Sequence, residues 1–186
     1  MSEIQAKRVP LLTARQVAVA AVLGGLNFAC TALGIAIPGY LPVVSYEFMG
    51  MFVTLAIMAT GPWGGLIPLI ANYLVSPIGL WGVPTTLPYF IVFTPLYKPV
   101  YRIKNTSLRV VALWIIICLG IAAENFSWAA LYAYVFRLVP FWPQVIYIFT
   151  TQPIWLTIYA LVPSIVLVTN PSFVEPTWAV FPRRTE

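Results

Sequence analysis

The chain of 186 residues contains no histidine and no aspartate, and its only acids are Glu3, Glu47, Glu124, Glu175 and Glu186. Without histidine there is no ordinary proton shuttle near neutral pH, no imidazole metal ligand and no histidine-dependent nucleophile triad. Cys30 and Cys118 each lie in an apolar run, with neither a Cys-x-x-Cys pair nor a third ligand nearby. They read as small packing residues, so no metal and no cofactor is expected. No Walker-type phosphate loop occurs, and no nucleophile sits beside a base, so neither an ATPase nor another enzyme is expected. Charge itself is scarce: 8% of residues are charged, against about 25% in soluble domains.

What is abundant is apolar sequence. Hydrophobic residues make up 61% of the chain and its mean hydropathy is +0.90, too much apolar surface for a water-soluble globule of this size. The apolar runs are continuous rather than alternating, which predicts an all-α integral membrane bundle and not a barrel. The N-terminal run is too long for a cleavable signal peptide. Runs at 17–37, 46–60, 65–80, 86–101, 110–135 and 144–168 predict six transmembrane helices, with about 20 residues needed per crossing. The connections are short, so residues 1–186 read as a single membrane domain. Within it, 1–16 is a cytoplasmic segment whose Thr13 is placed to cap the first helix, 17–168 is the bundle and 169–186 is a cytoplasmic tail. With both termini inside, the cytoplasmic side collects Lys7, Arg8, Arg15, Lys98, Arg102, Lys104, Arg109, Arg183 and Arg184, leaving Arg137 outside. That follows the positive-inside rule and predicts a cell-membrane, multi-pass protein. The net charge of +5 is therefore loop charge, and no nucleic acid is expected as partner.

One polar group stands out inside these runs. A carboxylate deep in a bilayer is costly, and Glu124 lies about 16 Å below the outer end of the fifth run at about 1.5 Å per residue. Glu124, Trp128 and Tyr132 recur every four residues on one helical face, with Asn125 adjacent. On the sixth run, Gln152, Trp155 and Tyr159 share a face at a matching depth. Asn72, Tyr40 and Trp81 fall in the same outer half and complete the candidate binding set. Glu124 is either a charged ligand contact or a neutral acid bonded to a neighbour; Asn72 and Gln152 equally suit interhelical hydrogen bonds. Tyr40 and Trp81 equally suit interface anchors. Glu47, opening the second run, is expected to favour the helix N-terminus as a cap. On the first helix, Ala14 and Ala18, then Ala21 and Gly25, are small residues four apart, a pattern that lets another helix approach closely.

Taken together, Ala14-Arg15-Gln16-Val17-Ala18, the break Ile37-Pro38-Gly39-Tyr40 and the turn Gly61-Pro62-Trp63-Gly64-Gly65 resemble a substrate-binding S component of an energy-coupling factor (ECF) transporter. The resemblance spans nearly the whole chain. It implies capture of a vitamin-like micronutrient on the outer side, with a transmembrane coupling subunit and two ATPase subunits supplying the energy. It also implies that the small-residue face at Ala14, Ala18, Ala21 and Gly25 meets the coupling subunit. Aromatic rings beside a carboxylate suit a flat cationic ligand such as thiamin. The alternative is a self-sufficient secondary transporter with Glu124 as proton carrier.

Overall fold

A computed structural model describes residues 11–38 and 45–178 and is mostly helical. Helix α1 (Ala14–Ala32) begins where expected. Thr13 and Gln16 form a reciprocal cap, the Gln16 amide N–H donating to Thr13 Oγ1 and the Thr13 N–H to Gln16 Oε1, which satisfies two otherwise orphan donors. The helix stops five residues earlier than the apolar run suggests. Gly34 adopts φ +65°, and the chain continues as β1 (Ala36–Pro38), paired antiparallel with β2 (Ser45–Glu47), Ala36 facing Glu47 and Ile37 facing Tyr46. This small hairpin is the departure from an all-helical chain. It also corrects Glu47, which belongs to β2 rather than to the cap of the next helix.

Helix α2 (Met49–Tyr73) contains Gly61 at φ 82°, ψ −177°, a conformation that glycine alone adopts readily. Pro62 follows, a favourable first residue for a new helical arm. The two arms fold back on each other. A Cβ built on Gly65 would fall 2.4 Å from Ile57 Cγ1, whereas residues eight apart on a straight helix are about 12 Å apart. The first arm, running from Met49 to Thr60, is almost wholly buried and forms the centre of the molecule. α1 runs alongside the second arm: Gly24 lies against Ile67, and Asn27 Nδ2 donates to the Pro68 carbonyl at 2.8 Å. The Thr31 hydroxyl donates to Asn72 Oδ1.

Helix α3 (Gly82–Tyr101) carries a column of rings four residues apart. Tyr89, Phe93 and Tyr97 stack in sequence, with centroids 5.4 and 5.5 Å apart. Helix α4 (Thr106–Ala130), capped by Asn105, runs into a π-helical turn over Leu131–Val135. Helix α5 (Phe141–Thr169) contains Pro153 and Pro163. Among the described residues, three elements, Met49–Tyr73, Thr106–Val135 and Phe141–Thr169, are long and apolar enough to cross a membrane by length and composition. Each arm of α2 is about 18 Å long at about 1.5 Å per residue, shorter than the hydrocarbon core of about 30 Å.

The two ends of this bundle differ in charge. Arg15, Lys98, Arg102, Lys104 and Arg109 lie at the end bearing the Gly61 turn, whereas Arg137 lies at the other. The Gly61 end is closed. Trp178 packs against Gly61 and donates its indole N–H to the Met58 carbonyl at 3.0 Å. Lys98 Nζ donates to the Trp178 carbonyl at 2.7 Å and sits 4.7 Å from its ring centroid. Tyr97 donates to the Val174 carbonyl at 2.7 Å.

Candidate functional site

The opposite end opens into a cavity of about 400 Å³, within the range of about 300–1,000 Å³ usual for small-molecule sites. Its walls come from β2, the two ends of α2 with the turn behind it, the second half of α4 and α5 as far as Tyr159. Of the residues singled out in the sequence, Glu124, Asn125, Trp128, Tyr132, Trp155 and Tyr159 line it.

Glu124 is 2% exposed. Three neutral donors from three helices converge on it. Thr86 Oγ1 of α3 donates to Oε1 at 3.0 Å, Trp128 Nε1 of α4 to Oε1 at 3.3 Å, and the Tyr159 hydroxyl of α5 to Oε2 at 3.1 Å. Thr86 Oγ1 also lies 3.3 Å from the Gly82 carbonyl and 3.1 Å from the Tyr73 hydroxyl; where its single proton goes to Glu124, Tyr73 is the donor in their contact. In that arrangement Tyr73 and Thr86 pass hydrogen bonds toward the carboxylate. This arrangement suits an acceptor-only group, because an indole N–H can only donate. No Lys or Arg lines the cavity among the described residues.

Small residues make room for this machinery. A Cβ on Gly50 would lie 1.7 Å from the Tyr159 ring, and one on Gly82 would lie 2.1 Å from the Tyr73 ring. Both tyrosines thus occupy space that only glycine leaves free. Beneath them, Tyr89 meets Tyr159 edge-on at 5.3 Å and shares a hydrogen bond with Thr54 at 2.7 Å. The aromatic column of α3 closes the floor.

Two groups of rings flank the opening. Trp128 stacks with Tyr132 at 5.9 Å and lies 6.4 Å from Tyr73. Tyr46 meets Trp155 edge-on at 5.1 Å, and Trp155 meets Tyr159 at 6.4 Å. Tyr132 stands on the π-helical turn, where Phe136 N–H bonds to the carbonyl five residues back. Such turns recur at functional sites because they re-aim side chains.

Three expected residues are placed elsewhere. Gln152 turns away from the cavity, and its amide donates to the Cys118 carbonyl and sulfur, each at 3.2 Å. It is one residue off the stripe that does face inward, Tyr147, Thr151, Trp155 and Tyr159. A single residue is a rotation of about 100° on a helix with 3.6 residues per turn. Asn72 is fully buried and ties α2 to α1 through Thr31, with the Glu47 carboxylate beside it. Trp81 is 59% exposed on the Gly79–Trp81 turn, outside the cavity lining. Tyr40 lies outside the described residues. Sequence reasoning missed Glu47, Tyr73, Thr86, Tyr147 and Thr151. The four-residue spacing on α5 was a readable signal for the last two, whereas Glu47 and Thr86 carried none.

No family model, curated protein or solved structure matches this chain. The small residues Ala14, Ala18, Ala21 and Gly25 all lie on the exposed face of α1, and a Cβ on Gly25 would meet nothing within 4 Å. They are distinct from Ala20, Gly24 and Asn27, which pack inward.

Proposed function

We propose that this chain is the substrate-capture S component of an ECF transporter, binding a vitamin-like small molecule in the cavity around Glu124. A multi-pass location in the cell membrane follows from the same reading. The six rods, counting each arm of α2, sit in the bilayer with the charge-poor cavity end outside and the basic end in the cytoplasm. The short arms of α2 are tolerable there because protein rather than lipid surrounds most of the first one. One observation carries the reading: a cavity of about 400 Å³ has aromatic walls and a deeply buried carboxylate held by neutral donors. The exposed small-residue face of α1 supports a helix partner, the coupling subunit, which would act with two ATPase subunits. A flat cation such as thiamin is the first ligand to try, by ring stacking and charge.

The purified chain is expected to bind its ligand without ATP and to retain it for identification by mass spectrometry. Affinity capture from native membranes is expected to recover a coupling subunit and ATPases. Recovery of neither, with no ligand retained, would sink the proposal. The bonding of Glu124 to neutral groups also favours a second reading, since such an acid can take up a proton without breaking an ion pair. In that case the chain alone would drive uptake into liposomes under a pH gradient, and Glu124→Gln would abolish it.

A further inference from the structure

The cavity holds a second acid that capture by Glu124 alone leaves unused. Glu47 of β2 lines the same cavity as Glu124 but from a separate element. Both acids have neutral neighbours: Asn72 beside Glu47, and Thr86, Trp128 and Tyr159 around Glu124. Two acids, with no Lys or Arg in the lining among the described residues, favour a ligand that carries positive charge. A second, independent feature points to a ligand. Asn125, next to Glu124 and also in the lining, is 5% exposed, and its Nδ2 has no hydrogen-bond partner among the described residues. A buried donor of this kind is normally satisfied.

We propose that the cavity is a two-point site for a flat, positively charged heteroaromatic ligand. At the floor, Glu124 accepts from an amino N–H while Asn125 donates to an adjacent ring nitrogen or carbonyl oxygen. At the other wall, Glu47 faces a second positive centre, and the rings of Trp128 and Trp155 cover the planar parts. Carboxylate-bearing vitamins are rejected, because a further acid would enter a cavity that already holds two and, among the described residues, no Lys or Arg. This assignment rests on the capture reading and adds to it the charge and the donor–acceptor edge of the ligand.

The test uses the full chain in lipid nanodiscs, with binding followed by tryptophan fluorescence and confirmed by calorimetry. The probes are thiamin, which has two separated positive or amino centres, 2,4-diaminopyrimidine, which has the amino edge alone, and biotin as the acid. Thiamin is expected to bind and biotin to fail. Glu47→Gln weakens thiamin by about tenfold or more but leaves 2,4-diaminopyrimidine unchanged. Glu124→Gln and Asn125→Ala weaken both. Unchanged thermal unfolding of Glu47→Gln establishes that the variant is folded. Tight binding of biotin, retention of an anionic or neutral molecule by the purified chain, or thiamin affinity indifferent to Glu47→Gln overturns the two-point assignment while leaving capture standing. If the chain binds none of the probes and retains no molecule, both fail.

Discussion

The two ends of the bundle use the same kinds of residue for opposite purposes. At the Gly61 end an indole, Trp178, is spent on closure: it fills the space beneath a glycine turn, donates to the Met58 carbonyl and is held by Lys98. At the cavity end the indoles of Trp128 and Trp155 leave space between helices unfilled, and the Trp128 donor is directed at a carboxylate rather than at backbone. Charge follows the same division. Five basic side chains lie at the closed end, and two acids line the cavity with no Lys or Arg among its described lining residues. A bundle packed at one end and hollow at the other can hold a ligand, and the capture reading assigns translocation to a separate partner.

The largest effect should come from breaking the closed end. Gly61→Val places a β-branched residue at φ 82° with the Trp178 ring where its Cβ must go. A loss of roughly 3 kcal/mol is expected, read as a large drop in thermal unfolding temperature in detergent. Trp178→Ala removes the buried ring and orphans the Met58 carbonyl, for roughly 3 kcal/mol; ligand affinity of the protein that remains folded should be unaltered. If either variant instead lowered affinity without lowering stability, the division between the ends would be mistaken.

Variants at the open end should do the reverse. Glu124→Gln is expected to lower affinity for a cationic ligand more than tenfold, about 1.4 kcal/mol, with little change in unfolding temperature, because the amide oxygen can still accept from Thr86 or Tyr159. An unchanged dissociation constant would make Glu124 a purely structural acid. A smaller effect is expected from pH. Burial pushes the Glu47 carboxyl above the ordinary carboxylate range, with the Asn72 side chain opposing. The group therefore gains its proton at milder acidity than an exposed glutamate near 4.3 does, roughly. Its contribution to cation binding is present at high pH and lost as pH falls through that raised value. Glu124, Tyr46, Tyr73, Tyr132, Tyr147 and Tyr159 are the titratable groups sharing its cavity among the described residues. Titrating affinity against pH should show wild type and Glu47→Gln converging on acidification. The smallest effect is expected at Trp81 and on the outer face of α1. Trp81→Ala should leave affinity unchanged. Ala18→Trp should leave stability and affinity intact while preventing assembly with a coupling subunit, measured by co-purification. Loss of ligand binding in that variant would make the face part of the core.

Much of the helical content and the stripe Glu124, Trp128 and Tyr132 could be read directly, because both follow from local repetition: apolar length for the helices, four-residue spacing for the stripe. Asn125, Trp155 and Tyr159 also reached the cavity. Gln152 did not, since its polarity suggested a ligand contact while the four-residue stripe through Tyr147, Thr151, Trp155 and Tyr159 already defined the inward face. Glu47 was misread because the start of α2 was placed at residue 46. The hairpin Ala36–Pro38 with Ser45–Glu47 depends on pairing across a connection that no local pattern describes.

The amino-acid sequence by itself determined a helical chain rich in apolar residues, with nine of its ten basic residues at the two termini and in the stretch 98–109 and one acid deep in an apolar run. These are properties of composition and period, which act residue by residue along the chain. Only the tertiary structure decided which acids share a cavity, because Glu47 and Glu124 lie 77 residues apart. It likewise decided that Thr86 and Tyr159 hold Glu124 while Gln152 holds the Cys118 carbonyl. It separated the two small-residue faces of α1 as well, one packed against α2 and one left bare. Each of these outcomes depends on how helices rotate and close against one another, and a rotation of one residue is enough to move a side chain from the cavity to a neighbouring helix.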